Sequence, residues 1–228
     1  MMALEDNKMN KEWSDLCTLK QEQLKKKETF QEGIHNLLLL RSNLLKQMEQ
    51  FRNEITNEEF AEMPYINAKG YENKTVAYSL YHVFRIEDIV SNTLIRKDEE
   101  VFFTKNYQER MNASIITTGN ELVREQIGEF SAQLNIDELY NYIREVDEST
   151  TKLIQSFRVE DMKIKMTEDD KKNVRILHVV SEDPCADWLV NYWCSKNILG
   201  LIQTPLSRHW LMHVKPCIKM IEKIKKTR

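Results

Sequence analysis

The stretch Thr29-Phe-Gln-Glu-Gly-Ile-His-Asn-Leu-Leu-Leu-Leu-Arg-Ser-Asn-Leu-Leu-Lys-Gln-Met-Glu-Gln-Phe-Arg-Asn-Glu-Ile55 decides the fold class. Its apolar residues Ile34, Leu37, Leu38, Leu44, Leu45, Met48, Phe51 and Ile55 recur at steps of three and four, which is one face of an α-helix. Thr29-Phe-Gln-Glu32 reads as a capping box at its start, the hydroxyl accepting from the fourth amide while Glu32 reaches back. The predicted helix covers about 30 to 56, roughly 40 Å at 1.5 Å per residue.

Two further long helices carry the same period. Val76, Leu80, Val83, Glu87, Val90 and Leu94 make a 4-3-4-3-4 stripe on a helix expected from about Asn73 to 96, with Ser79, His82, Ile86 and Ile89 beside it. Asn135 is a predicted N-cap, with Asp137 and Glu138 in the positive first turn of a helix reaching about 157. The intervening residues 97–134 are irregular, with a short helix expected around Asn120 to Ala132. They are too many for a tight hairpin and long enough to cross a bundle, so the two flanking helices can be parallel neighbours. Pro64 and Gly70 mark a loop, Thr167 a short helix, and Asp183-Pro184 a cap followed by a first-turn proline. Thr204-Pro205 repeats that signal and opens a last helix to about 226, with Leu206, His209, His213, Met220 and Ile224 on one seam. Residues 1–28 are polar and lysine-rich with a thin apolar stripe (Trp13, Leu16, Cys17, Leu24). That suits an accessory helix on the main body, a partner-binding arm or a solvated, frayed helix. The expected division is therefore an N-terminal helical arm, 1–28, and one domain, 29–228.

Composition agrees. The chain has 228 residues with 5 glycines and 4 prolines, against about 27 of the two together at average usage, which argues against turn-rich β sandwiches and barrels. Hydrophobic residues make up 41%, enough for a core. The formal charge is −3 with both signs interspersed, so neither a nucleic-acid nor a membrane polyelectrolyte is indicated. The longest aliphatic run, Leu37 to Leu40, is far short of a spanning helix, and the first residues lack a signal-peptide apolar region. Cys17, Cys185, Cys194 and Cys217 form no CxxC pair and read as buried free thiols in a reducing cytoplasm.

The five histidines are where chemistry enters. Arg208-His209-Trp-Leu-Met-His213 is an HxxxH, and residues four apart share a helix face, so both imidazoles can reach one ion. Chance supplies roughly 0.1 such pairs in a chain of this composition. Both fall on the seam expected to face the core, and His82 lies on the inner half of another long helix. Three neutral imidazoles from two helices can hold a divalent ion with positions left open; the plainer reading is three hydrogen-bonded or partly exposed histidines. Glu87 and Asp88, one turn past His82, are candidates for a base or for orienting the ligands, with a boundary ion pair as the plainer role of Glu87. Cys217 is a candidate fourth ligand or a buried thiol. His178 reads as a packed core or edge histidine and His35 as structural. Tyr78, Tyr81, Trp188, Trp193 and Trp210 could line a pocket or simply pack helices. No HExxH, GxGxxG, Walker A or GxSxG occurs.

With Tyr78-Ser-Leu-Tyr-His82-Val-Phe in the second long helix and Thr204-Pro-Leu-Ser-Arg-His209-Trp-Leu-Met-His213 in the last, the chain resembles the DinB/YfiT superfamily of metal-dependent proteins, which includes bacillithiol-transferase-like members. The resemblance covers roughly residues 30–226. It implies an all-α, up-down-down-up four-helix bundle with accessory segments, and a divalent metal, zinc or nickel foremost, held by His82, His209 and His213. Two departures stand out: the family's usual His-Arg-Gly-Gln is replaced by His213-Val-Lys-Pro-Cys217, and Pro216 inside the helix should remove a backbone bond and kink it. The expectation is a metal-dependent thiol S-transferase or hydrolase-type enzyme taking a small-molecule substrate, with a low-molecular-weight thiol as co-substrate and Glu87 or a tyrosine managing protons. Tyr78, Asp88, Trp210 and Cys217 would line the pocket or support the ligands. The chain would be a homodimer, without nucleic-acid or membrane partners. The alternative is a non-catalytic helical interaction module with a structural metal or none.

Overall fold

The computed structural model describes residues 2–71 and 73–228, apart from the side chains of residues 2–8 and 10; Met1, the first residue of the expected arm, and Glu72 lie outside them. The described residues are helical with no strand, one isolated bridge (Lys165 to Asn197) excepted. The helices are α1 (Met2–Gln23), α2 (Phe30–Glu54), α3 (Val76–Asp88), α4 (Val101–Thr104), α5 (Tyr107–Arg110), α6 (Glu125–Gln133), α7 (Ile136–Ser156), α8 (Glu168–Ile176), α9 (Pro184–Cys194), α10 (Ile198–Gln203) and α11 (His209–Thr227). No helix among the described residues is long and apolar enough to cross a membrane.

The periodic segments fold as read. Asn135 caps α7 by accepting from the Glu138 amide at 3.2 Å, and Asp183 caps α9 ahead of Pro184. Thr167 and Asp170 form the reciprocal capping box of α8. Three boundaries differ. Thr29 and Glu32 form no capping box: the Thr29 hydroxyl donates to the Gln23 carbonyl at 2.9 Å, and Glu32 accepts from the Gln23 side chain at 3.1 Å. The end of α1 takes both groups, tying it to the start of α2. The His82 helix begins at Val76, because Thr75 rather than Asn73 accepts from the Tyr78 amide, at 3.0 Å. The last helix does not open at Thr204-Pro205. α10 precedes it, and residues 204–208 form a π-helical turn running into α11; Pro205 brings no N–H to a ladder, which fits a change of helix type there. A second π segment, Ile89–Arg96, continues α3 and ends at left-handed Lys97. Through Pro216 α11 continues as an α-helix.

Packing centres on α3, all of whose residues are buried. It contacts α7 and α11, while α2 contacts α1, α7 and α11. Side-chain pairs give the directions. Along α2 and α7, Arg41 meets Asp147, Met48 meets Tyr140 and Arg52 meets Asp137, so the two run in opposite senses. α3 and α7 run in the same sense, Arg85 meeting Tyr142 and, beyond α3, Asn92 meeting Ser149. α11 follows α2, with Arg41 at Leu206 and Glu54 at Lys225. Two apolar clusters result. One is built on Leu44, Met48, Val83, Tyr140 and Trp210, the other on Leu37, Ile86, Leu153, Trp193 and Leu206. The buried Arg41–Glu87 pair falls at their boundary.

α1 lies on α2, with Trp13, Lys20 and, just past its end, Leu24 buried. The approach is close: a Cβ on Gly33 would stand 2.9 Å from the Leu24 backbone nitrogen. Gly33→Ala therefore opposes two effects. Alanine gains about 0.5–1 kcal/mol of helix propensity, while overpacking against a backbone atom costs about 1–3 kcal/mol. The expected result is a net loss of about 1 kcal/mol in urea unfolding; a stabilised variant would show that α1 yields.

Three histidine and cysteine expectations need correction or refinement. His178 is not a packed histidine: it is exposed, in a left-handed conformation just past α8. His35 is exposed on α2. All four cysteines are free, but only Cys217 is buried, and Cys185 is exposed.

Candidate metal centre

α3 supplies His82 and α11 supplies His209 and His213. Ring centroids are 5.0 Å apart for His82 and His209, 4.8 Å for His82 and His213, and 4.6 Å for His209 and His213. One ligand atom from each lies within 4.8 Å of the others, so the group could hold a metal ion. His82 and His213 are buried and His209 half-buried.

The ring orientations fit ligation. His82 Nδ1 lies 2.8 Å from the Thr118 carbonyl, which can only accept, so Nδ1 carries the hydrogen and Nε2 presents its lone pair. A backbone carbonyl holding the far nitrogen is the usual way a ligating imidazole is oriented. His209 Nδ1 is buried with no hydrogen-bond partner, an orphaned polar atom of the kind an ion would satisfy. Burial pushes the His82 imidazole down to about 4; the Thr118 bond opposes this and the Lys74 charge adds to it. Burial likewise drives His209 and His213 well below the usual range, with the neighbouring imidazoles and Lys74 acting in the same direction. All three are neutral at pH 7, the form that binds metal.

The Thr118 carbonyl is itself held in place. Successive carbonyls of residues 115–119 accept from α3 side chains. Tyr81 donates to Ile115 (2.9 Å) and Thr117 (3.2 Å), and Arg85 to Ile116 (2.6 Å). His82 serves Thr118 and Tyr78 serves Gly119 (3.0 Å). Gly119 has φ 77°, and a Cβ there would meet Tyr78 at 3.1 Å, so the position requires glycine. Sequence reading missed this segment because it has no periodicity; its signal is the run of polar side chains on an otherwise apolar helix.

Of the other expected residues, Tyr78 stacks on His82 with centroids 5.7 Å apart and lines a cleft of ≈ 670 Å³ that opens onto His82. Glu87 does not reach the imidazole group: it is fully buried, with both oxygens bound by Arg41 and one also by Trp210 Nε1 at 2.6 Å. Glu87 thus sits in an ion pair with Arg41, fully buried rather than at a boundary with solvent. Asp88 accepts from the Val101 and Phe102 amides, Asn92 and Tyr142, anchoring the chain after α3 rather than the histidines. Trp210 is buried against Phe84 and Arg41. Cys217 is buried outside the three-histidine group, and burial pushes its thiol up to about 12.

The fold and the site thus define an all-helical protein with a three-histidine group that could hold a metal. No family model and no curated protein matches the chain. A solved structure is similar: the conserved protein of locus from Enterococcus faecalis, at a TM-score of 0.55 and 11% identity, covering 92% of this chain and 96% of that one. At that identity the likeness concerns the helical fold.

Proposed function

We propose that the chain is a divalent-metal-dependent enzyme of the DinB type, with the ion held by His82, His209 and His213. The observation that carries this reading is the convergence of three neutral imidazoles beside an open cleft, one of them fixed through its far nitrogen by a backbone carbonyl. The pairings of α2, α3, α7 and α11 support an up-down-down-up four-helix bundle. Two histidines from one helix and one from another leave further coordination positions for substrate. A divalent ion in such a site lowers the pKa of a bound thiol or water and so supplies a nucleophile near neutral pH, which suits thiol S-transfer or hydrolysis. Tyr78 and the 115–119 carbonyls orient His82, and the Arg41–Glu87–Trp210 contacts position the turn that carries His209.

Metal analysis of protein purified without chelator tests the site. Near-stoichiometric zinc, nickel, manganese or iron is expected, with occupancy lost in His209→Ala while the far-ultraviolet circular dichroism is kept. A chain free of metal and indifferent to His209→Ala would sink the reading. Conjugation assays with low-molecular-weight thiols then test the reaction; metal-loaded protein silent with each of them would instead be a helical module with a structural ion.

A further inference from the structure

The described lining of the cleft beside His82 is basic, in a chain whose net charge is acidic. The chain carries 36 acidic and 33 basic residues. The described cleft lining includes Lys69, Lys74 and Arg124 together with Asn67, Asn73 and Asn120, and no aspartate or glutamate. A cavity of ≈ 440 Å³ lined by Lys20, Arg208 and Lys215 is also free of carboxylates but has none of the three histidines in its lining, and two others are mixed: one of ≈ 520 Å³ sets Glu54 and Glu222 against Lys225 and Lys226. One of ≈ 700 Å³ has Asp98, Glu99 and Glu100 around Lys97. The three cations come from separate pieces of chain: Lys69 from the loop after Pro64, Lys74 from the approach to α3, and Arg124 from the residue before α6. Both helices start at the cleft, so their positive ends add to its field. Lys74 is close enough for its charge to act on all three histidines. Arg124 has φ 48° and ψ −116°, an uncommon conformation for a side-chain-bearing residue; such strain persists where the surroundings hold it.

We infer that this cleft takes a small anion, a molecule bearing a carboxylate or phosphate group, held by Lys69 and Arg124 beside the three histidines. The inference deepens the proposed enzyme reading and rests on it only for what happens at the histidine end. Carboxamides at the rim add hydrogen-bond donors, and Leu122, Val123 and Ile127 give an apolar wall for the body of the molecule. A cleft of ≈ 670 Å³ is the size of a small-molecule site.

Titration calorimetry on the full chain at low salt tests it, with inorganic phosphate and succinate as probes and succinamide as the uncharged control. Wild type is expected to bind at least one anion and not succinamide, with affinity falling as salt rises. The stronger probe tells phosphate from carboxylate. Arg124→Gly removes the guanidinium and relieves the positive φ, so the thermal midpoint should hold while affinity falls at least about tenfold, equivalent to about 1.4 kcal/mol. Lys69→Ala should act in the same direction. His209→Ala separates the two readings: anion affinity within about threefold of wild type places the anion on the cations, whether or not metal is found. Loss of anion binding in His209→Ala, equal binding of succinamide, an Arg124→Gly affinity unchanged from wild type, or no binding to metal-loaded wild type would each overturn the inference. The last result leaves the metal site standing.

Discussion

Arg41→Ala is expected to destabilise the chain by about 3–5 kcal/mol, the range for removing one partner of a buried ion pair. Arg41 is 1% exposed. Its guanidinium grips Glu87 with two bonds of 2.9 and 2.7 Å, reaches Asp147 at 2.6 Å, and donates to the Leu206 carbonyl at 2.9 Å. It also stacks over the Trp210 ring at 4.2 Å. One cation thus joins α2 to α3, α7 and the turn before α11. Burial pushes the Glu87 carboxyl up, Arg41 pulls it back, and the net direction is upward. Without Arg41 the fully buried carboxylate loses its counter-charge and keeps only neutral donors such as the Trp210 N–H. Urea unfolding at pH 7 gives the measurement. The double variant Arg41→Ala/Glu87→Gln should recover about 1–2 kcal/mol, because a neutral amide needs no counter-charge. A single variant within about 1 kcal/mol of wild type would show that the pair is replaced by packing. Since Trp210 adjoins His209, Arg41→Ala should also weaken metal binding more than an equally destabilising change in the distant Leu153 cluster.

What could be read from the sequence follows the range of the interactions concerned. Apolar period is a property of neighbouring turns, so α2, α3 and α7 emerge from it, as do the local caps at Asn135, Thr167 and Asp183. The errors lie where a distant segment competes for the same group. Thr29 and Glu32 have capping-box identities, but the Gln23 carbonyl and side chain, brought in by α1, take both. Thr204-Pro205 looks like a helix start because proline suits a first turn, yet α10 is already helical and proline instead marks the π turn.

The site divides the same way. His209 and His213 are one turn apart, so their proximity follows from sequence spacing; periodicity puts His82 on the inner half of its helix, but that it meets the other two depends on α3 packing against α11, a tertiary fact that spacing does not contain. Glu87 shows the limit of counting turns. It follows His82 by five residues, which swings it off the histidine face toward α2, where Arg41 waits. The carbonyl ladder of 115–119 shows in the sequence only through its donors, the polar side chains on α3, since backbone acceptors carry no residue identity; the cations at 69, 74 and 124 left no trace, since single surface cations carry no period.

Acid should destabilise the metal-free chain more steeply than carboxylate titration alone. An imidazole at about 4 in the folded state and about 6.5 in the unfolded state binds more protons when unfolded. Its contribution is fully present above about pH 6.5, shrinks as the pH falls through that window, and is gone near pH 4. The shift held by His82, 5% exposed, corresponds to about 3 kcal/mol. His209 and His213 act in the same direction. Carboxylates contribute to any acid limb, so the informative quantity is a difference: urea midpoints of chelator-treated wild type and of His213→Asn, followed from pH 7.5 to 4.5. The wild-type curve should fall more steeply and the two should converge toward acid, because asparagine has no proton to gain on unfolding. Parallel curves would mean that water reaches His213 and its imidazole is not held neutral. Adding zinc then closes the argument. Metal binds the neutral imidazoles of the folded chain, so it should raise the thermal midpoint of wild type at pH 7.5 and lose that effect only once the pH nears the depressed folded-state values, about 4 for His82, where protons compete for the same nitrogens. His213→Asn should show little of either response.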